Sequence, residues 1–508
     1  MKYRVICLLT VAALAVTGLA FLYLDDANGV GRYHQHLEQP GEEDLAPCTS
    51  CGGTAALCTH LPVIRIETGG QKIPGKAIVD DNSSIIDYEL GDNGEEQIVV
   101  KVSTVEQEGR WHHADDEADL ESQALFRIRG NSSRAFSKSS YRIKLIADGD
   151  PERNRDLPLL GMSSGNEWAL HGPFLDKTLL RNYMWMNLSA EIMGYAPNVR
   201  FCEVILDGDY QGVYVLMDTI GVSQGRVNLP PYEDGDTVTS YIVHLEPRAD
   251  PLKVVDNFTQ YTLRIDEGRA LEILYPTGSH QTEQVKNYVN ADFSEVERIL
   301  YSARAADGSD AIADVIDVGS FVDYYIIMEF LAVNDMFSSS TYFYRDVRGK
   351  LTAGPVWDFN NVLDNFFLPF DSEGFLLSQR GWMSRLMMSE DFVSQVVFRY
   401  RQLRQGLLEE ESLLEYIDEV ILWLGSAVDR NYAVWGYSFD PDLLGKTERR
   451  RPSSGSELTI YDVNPASFEQ AVAWMKDYMV ERGRWLDEHI ESLYQYCRES
   501  KTAAVRID

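Results

Sequence analysis

The sequence predicts a mixed α+β protein, and three observations carry that expectation. Short runs of alternating, β-branched and aromatic residues recur from residue 61 to about residue 280. Clusters of Gly, Asp and Asn separate those runs at strand-length intervals. Helical periodicity then takes over, at 281–304, at 321–334 and in several stretches of 391–496. With 508 residues, the chain can bury a large core spread over two lobes or domains. Its 44% hydrophobic content marks a folded body rather than a disordered one.

Residues 1–24 read as a targeting segment. Lys2 and Arg4 precede an uncharged run at 5–24, which ends at Asp25 and Asp26. Such a run just spans a bilayer with its basic end inside. Gly18-Leu19-Ala20 also offers a cleavage site for a secretory signal. The segment is therefore a signal anchor or a signal peptide. Either way the remaining chain is expected outside the cytoplasm, held at the cell membrane by a single pass or secreted.

Residues 25–60 are polar and lack apolar periodicity, as a Cys-containing linker does. Cys48, Cys51 and Cys58 cluster in CTSCGGTAALC, with His60 close behind. A second cysteine pair at metal spacing is missing. A local disulfide suits an exported chain, so the sequence assigns no metal there.

The region 61–280 is β-rich. Strands are expected at 61–67, 97–102, 124–129 and 141–146, and His112-His113-Ala-Asp-Asp116 reads as a solvated loop rather than a ligand set. A helix at about 177–193 follows, with Asp176 as its N-cap and Gly194 as its stop. Next comes a hairpin, 200–206 and 210–217, turned by Asp207-Gly208-Asp209. Further strand is expected at 241–245 and around 266–269. The region 281–508 is helical, interrupted by a hairpin within 334–361.

Charge narrows the chemistry. Acidic residues number 79 against 46 basic, a net charge of −33, which argues against nucleic acid as a partner. Two segments could nonetheless hold phosphate and metal. The loop Arg129-Gly130-Asn131-Ser132-Ser133-Arg134 follows one strand and precedes Lys138 and the strand that holds Lys144. Gly130 lets backbone approach a ligand, Asn131 and Ser132 donate hydrogen bonds, and Arg129 and Arg134 offer cationic forks. Asp335 and Asp358 lie 23 positions apart at the two ends of the second hairpin. A two-stranded ribbon brings its ends together, so two carboxylates there could hold a metal–phosphate group. Taken singly, each segment also reads as ordinary loop chemistry, a polar turn with surface lysines and a pair of loop aspartates.

In order along the chain, RIRGNSSRAFSKSSYRIKL (127–145), LHGPFLDKTLLRN (170–182), VILDGDYQGVYVL (204–216), NDMFSSSTYFYRD and GPVWDFN resemble the CotH family of atypical, spore-coat-type protein kinases. The resemblance implies a reduced protein-kinase-like fold of two lobes, a β-rich N-lobe and a helical C-lobe, behind the N-terminal membrane or signal helix. It implies transfer of the ATP γ-phosphate to Ser or Thr of a protein substrate with Mg²⁺ or Mn²⁺. Asp335 would orient the substrate hydroxyl and Asp358 would bind metal, with Asn360 and Asn361 beside it. Arg129 to Arg134 would cover the phosphates, and Lys138 or Lys144 would contact them.

The chain departs from the family pattern at three positions. Ser340 stands where a kinase catalytic loop has asparagine, Asn360 where the family often has aspartate, and Asp218 where it commonly has glutamate. These departures motivate the alternative, a kinase-like surface protein that binds or builds without catalysis.

Overall fold

The fold is seen in a computed structural model that describes residues 31–49, 57–82, 84–246, 249–261, 270–302, 311–334 and 339–497. The chain divides into two units, Met1–His34 and Gln35–Asp508. Residues 31–34 of the first carry no helix or strand. The apolar run at 5–24 lies outside the described residues, and among those described no helix is long and apolar enough to cross a membrane.

The second unit is built on a closed sheet. The strands of its ring are β1 (Val63–Glu67), β2 (Ile98–Val105), β3 (Leu120–Ile128), β4 (Tyr141–Ala147), β5 (Glu167–His171), β6 (Val199–Leu206) and β7 (Asp209–Asp218), and an eighth strand, Asp150–Asn154, pairs with β4. Their order is β5-β7-β6-β1-β2-β3-β4, and β4 pairs again with β5, so the ring closes. All neighbours are antiparallel except β6 and β1. Closure leaves no unpaired edge along the ring. The two-residue period fills its interior: Ile98, Val100 and Val102 of β2, Ala124 and Phe126 of β3, and Tyr141, Ile143 and Leu145 of β4 point inward. Arg127, Arg142 and Lys144 therefore point out.

One outer wall of this barrel is apolar. Ala169, Phe201, Val213, Val215 and Met217 cover a second core shared with helix α1 (Arg181–Ile192). Nine of the twelve α1 residues are buried, as in a helix covered on every side. The helix starts at Arg181 rather than near 177. Asp176 is spent earlier, on the Thr178 amide at 3.1 Å, the Arg181 amide at 2.9 Å and the Arg181 guanidinium at 2.6 Å.

A smaller antiparallel sheet contributes to the same core. It contains β8 (Tyr241–Glu246), β9 (Ala270–Tyr275), β10 (Thr341–Arg345) and β11 (Leu351–Ala353), in the order β9-β8-β10-β11. Strands from both sides of residue 280 thus share one sheet. The α+β class holds, but the expected β-rich and helical halves interleave, so a kinase-like division into two lobes is not established.

The longer helices after α1 are α2 (Glu283–Leu300), α3 (Val318–Phe330), α4 (Glu390–Leu403), α5 (Glu410–Leu424), α6 (Ser426–Trp435) and α7 (Phe468–His489). Helix α6 returns to the barrel: Arg430 forks onto the buried Glu203 with two bonds of 2.9 Å. Gly212 permits that approach, because a Cβ there would meet Asn431 Oδ1 at 2.5 Å. Part of the expected linker is built in as well. The buried Gln35 accepts the Phe201 amide at 2.7 Å, and the His36 amide donates to Tyr183 at 3.1 Å.

Helices α3 and α7 meet through a buried ion pair. Arg482 Nη2 lies 2.6 Å from Glu329 Oε1, and the two side chains are 0% and 2% exposed. Arg482 also donates to the carbonyls of Ser372 and Gly374, while Glu329 accepts the amides of Leu376 and Leu377. Removing one partner would leave a buried charge uncompensated. Arg482→Met is expected to cost about 3–5 kcal/mol in urea unfolding, and adding Glu329→Leu should restore part of that loss.

Candidate functional site

The β10–β11 hairpin forms with Phe343 opposite Ala353 and Arg345 opposite Leu351. The chain leaves it through Trp357 into Asp358, whose backbone is left-handed at φ 68° and ψ 63°. Aspartate tolerates that conformation better than bulky or branched residues do. Asp358 is exposed, with the half-buried Asn360 and Asn361 close behind it.

The loop after Asp358 is clamped by the first turn of α1. Asn182 Oδ1 accepts the Phe359 amide at 2.9 Å. Arg181 donates from Nε to the Val362 carbonyl at 2.9 Å and from Nη2 to the Leu363 carbonyl at 3.3 Å. The Leu363 amide donates to the Leu331 carbonyl at 3.0 Å, linking this loop to the end of α3. Leu363 and Asp364 are left-handed too, as are Ala332 and Ser340 before the hairpin. Such backbone strain persists only where surrounding contacts over-determine it, and it gathers at functional sites.

Asp335 falls outside the described residues. The chain just before it is held, because Arg380 donates to the Asn334 carbonyl at 2.7 Å and to its side chain at 3.2 Å.

The β3–β4 loop approaches the same place. The Arg129 guanidinium lies 5.3 Å from the centre of the Trp357 ring. Gly130 has φ 114°, and a Cβ there would meet Ser133 Oγ at 2.0 Å, so glycine is required. Asn131 and Ser132 are exposed. Arg134 turns elsewhere, donating to the Gly75 carbonyl at 2.6 Å with its guanidinium 3.6 Å from the Tyr88 ring centre.

The two lysines diverge. Lys138 is 1% exposed, and its ammonium donates to the Val213 carbonyl at 2.6 Å and to Asn431 Oδ1 at 2.7 Å. Burial first, and then the charge of Lys177, push it well below the ordinary lysine range. Lys144 lies on the outer face of β4, in register with Glu167 of β5. Glu167 takes the fork of Arg142 at 2.8 Å and 2.5 Å. Burial would raise its pKa, but Arg142, aided by Arg129 and Lys144, holds it below the ordinary carboxylate range. Arg129 and Lys144 therefore share one cationic face with Arg142.

A second set of groups at the site had no signal in the sequence. His244 on β8 stacks on Tyr342 of β10 with ring centres 5.3 Å apart, and lies 3.3 Å from Glu246 and 3.5 Å from Glu272. The phenol of Tyr342 is pushed up by burial and by Glu246, opposed by Arg129 and reinforced by Asp358. One charge from each segment singled out by sequence, Arg129 and Asp358, therefore acts on this buried ring. Sheet register brings these groups together across about a hundred residues, so local pattern could not have found them.

The oxygen donors of Asp358, Asn360 and Asn361 fit a hard divalent cation, and the guanidinium beside Trp357 fits a phosphate. Asn361 Oδ1 already accepts from Asn360 at 3.0 Å, and Asn365 donates to the Asn360 carbonyl at 2.6 Å, so the turn is internally braced. A groove of about 680 Å³ lies elsewhere. It is lined by carboxylates from Glu409 to Glu419 with Leu414 and Leu422, and its charge would repel phosphate.

A family model described as CotH kinase protein matches residues 126–486, a span that includes every group named at this site. No curated protein matches the chain.

Two outcomes test the geometry. Asn182→Ala removes the acceptor of the Phe359 amide, which should cost about 1–3 kcal/mol in urea unfolding and speed hydrogen exchange after Asp358. The second concerns pH. Burial lowers the pKa of His244, but Glu246 and Glu272 outweigh it and raise it above the ordinary imidazole value. That stabilisation is full below about pH 6.5 and is lost as pH rises through the folded-state value. His244→Gln should flatten this alkaline decline in a melting-temperature profile.

Proposed function

The chain belongs to the CotH kinase protein family, and from that premise we propose that it transfers the ATP γ-phosphate to Ser or Thr of a protein substrate. The observation that carries this reading is the left-handed turn at Asp358, clamped by Asn182 and Arg181 and set near the guanidinium of Arg129. Bound Mg²⁺ or Mn²⁺ would neutralise charge on the triphosphate as the transfer proceeds. Asp358, with Asn360 and Asn361, would hold that cation. Arg129 and Lys144 would orient the phosphate oxygens, and the backbone around Gly130, Asn131 and Ser132 would cover them. Asp335 would accept the substrate hydroxyl proton. The hydroxyl oxygen then bonds to the γ-phosphorus, the bridging bond to the β-phosphate breaks, and ADP leaves.

The proposal includes the compartment. Residues 1–24 would carry the body out of the cytoplasm, as a membrane anchor or a cleaved signal, so the acceptor would be an extracytoplasmic protein. Nucleic acid is no partner in this reading, given the net charge of −33.

A second reading has a specific motivation. Ser340 is left-handed at φ 50°, and its hydroxyl is a poorer metal ligand than the asparagine carboxamide a kinase loop places there. A nucleotide-binding protein without transfer would keep the clamp and lose the chemistry.

Labelled ATP with Mn²⁺ and Ser-rich acceptor proteins separates the readings. Transfer by the unaltered chain should fall to background in Asp358→Ala and in Asp335→Ala. ATP–Mn²⁺ at a hundred times its dissociation constant should stabilise the chain by about 2.7 kcal/mol, and Asp358→Ala should abolish that gain. Stabilisation without transfer would favour the binding protein. Neither effect would count against both readings.

A further inference from the structure

The cysteines before the barrel gain a partner that their spacing does not reveal. Cys58 and Thr59 pair antiparallel with His113 and His112, which places Cys58 directly opposite His113. Directly opposed residues put their Cβ atoms about 4.5–5.5 Å apart on one face. Cys48 reaches the same spot, with Sγ 3.3 Å from His113 Nε2. The two sulfurs and the ring nitrogen all lie within 4.8 Å of one another. Ligand atoms at opposite corners of a tetrahedral zinc thiolate site are about 3.8 Å apart, so the cluster needs little adjustment to close on an ion.

A second observation concerns the ring. His113 Nδ1 lies 3.3 Å from Asp116 Oδ2, and the same oxygen accepts the His113 amide at 3.0 Å. A carboxylate at Nδ1 keeps the proton there and turns the Nε2 lone pair toward the sulfurs, as in carboxylate–histidine–zinc arrangements. The loop is fixed to the barrel, since Arg65 of β1 donates to the carbonyls of Ala114 at 3.0 Å and Asp116 at 2.7 Å. The Trp111 indole donates to the Ala46 carbonyl at 2.7 Å, holding the approach to Cys48. His60, the histidine nearest these cysteines in sequence, is elsewhere: its ring lies 3.7 Å from Glu42 and packs edge-on against Trp423.

We propose that Cys48, Cys58 and His113 bind one zinc ion, with Asp116 as the positioning residue for the histidine, and that the ion ties the segment bearing Cys48 to the barrel. Thiolate and imidazole donors select zinc over Mg²⁺ or Mn²⁺, so this is not the cation site of phosphoryl transfer. All four residues precede the span matched by the family model. Cys51 stands two residues beyond the one following Cys48 in a CxxC spacing, but it lies outside the described residues and the three ligands are argued without it.

The full chain, purified under reducing conditions from zinc-supplemented culture, tests this by elemental analysis. About one zinc per chain is expected, falling to background in His113→Ala and Cys58→Ser. Asp116→Asn should weaken zinc by roughly 10–100-fold in a chelator competition. Cobalt substitution of the unaltered chain gives a readout independent of any variant, and should show thiolate charge-transfer bands with tetrahedral visible absorption. Background zinc in the unaltered chain would overturn the proposal. So would a cobalt spectrum without sulfur ligation, zinc retained in full by His113→Ala, or a Cys48–Cys58 disulfide in peptide maps of chain isolated without reductant.

Discussion

The candidate site depends on one buried ion pair, Asp176 with Arg181, at the entrance to the central helix. Both side chains are almost fully shielded from water, at 2% and 6% exposed. Desolvating two charges is unfavourable unless their remaining donors and acceptors are filled. Here they are filled in a way that builds the site. Asp176 takes the Thr178 hydroxyl and amide and the Arg181 amide, which sets the start of the helix. Arg181 spends its other donors on the Val362 and Leu363 carbonyls. A lysine ammonium has three donors on one nitrogen and no planar fork, so it cannot span the two carbonyls, Asp176 and Thr178 together. With Asn182 added, the loop after Asp358 is fixed at both ends of its first turn, and the left-handed aspartate has no easy relaxation.

Around that clamp the charges are sorted. The chain carries a net charge of −33, yet Arg127, Arg129, Arg142 and Lys144 gather on one outer face of the barrel. Glu167 offsets them only in part. Burial and the neighbouring guanidinium groups lower the pKa of Arg127, the mark of cations held closer together than they would choose. An anionic ligand relieves such crowding. The acidic groove near Glu409 to Glu419 has the opposite character and repels the same ligand. Overall charge therefore says little about the local site, and geometry decides.

Much of the fold was legible because strand parity is local. The alternation in Tyr141-Arg142-Ile143-Lys144-Leu145 already assigns Arg142 and Lys144 to one face and their neighbours to the other. The hairpins at Asp207-Gly208 and before Gly349 were likewise written in turn residues. Barrel closure was not legible, because the β4–β5 and β6–β1 pairings are long-range register that no window contains. Nor was the small sheet, which joins β8 to a hairpin about a hundred residues later. The same limit hid His244, Glu246 and Glu272, and it hid the approach of His113 to the cysteines. Residues that meet only through register carry no local signature.

The two lysines show where parity ends and packing begins. Lys144 lies within β4, so its direction follows from the strand. Lys138 precedes it, in a turn with no period to read, and the sequence left the two interchangeable. Packing separates them. The Lys138 ammonium lies 4.9 Å from the Tyr214 ring centre and bonds to Val213 and Asn431, where it joins barrel to α6. An ammonium so enclosed cannot reach a phosphate without breaking the contact that seats α6 on the barrel. Asn431 Oδ1 also accepts the Val213 amide at 3.1 Å, so displacing the lysine would disturb the middle of β7. Lys144 and Arg129 both act on Glu167, and Arg129 lies over Trp357, next to Asp358. Of the two lysines, Lys138 is spent on holding α6 to the barrel, and Lys144 stays on the outer cationic face.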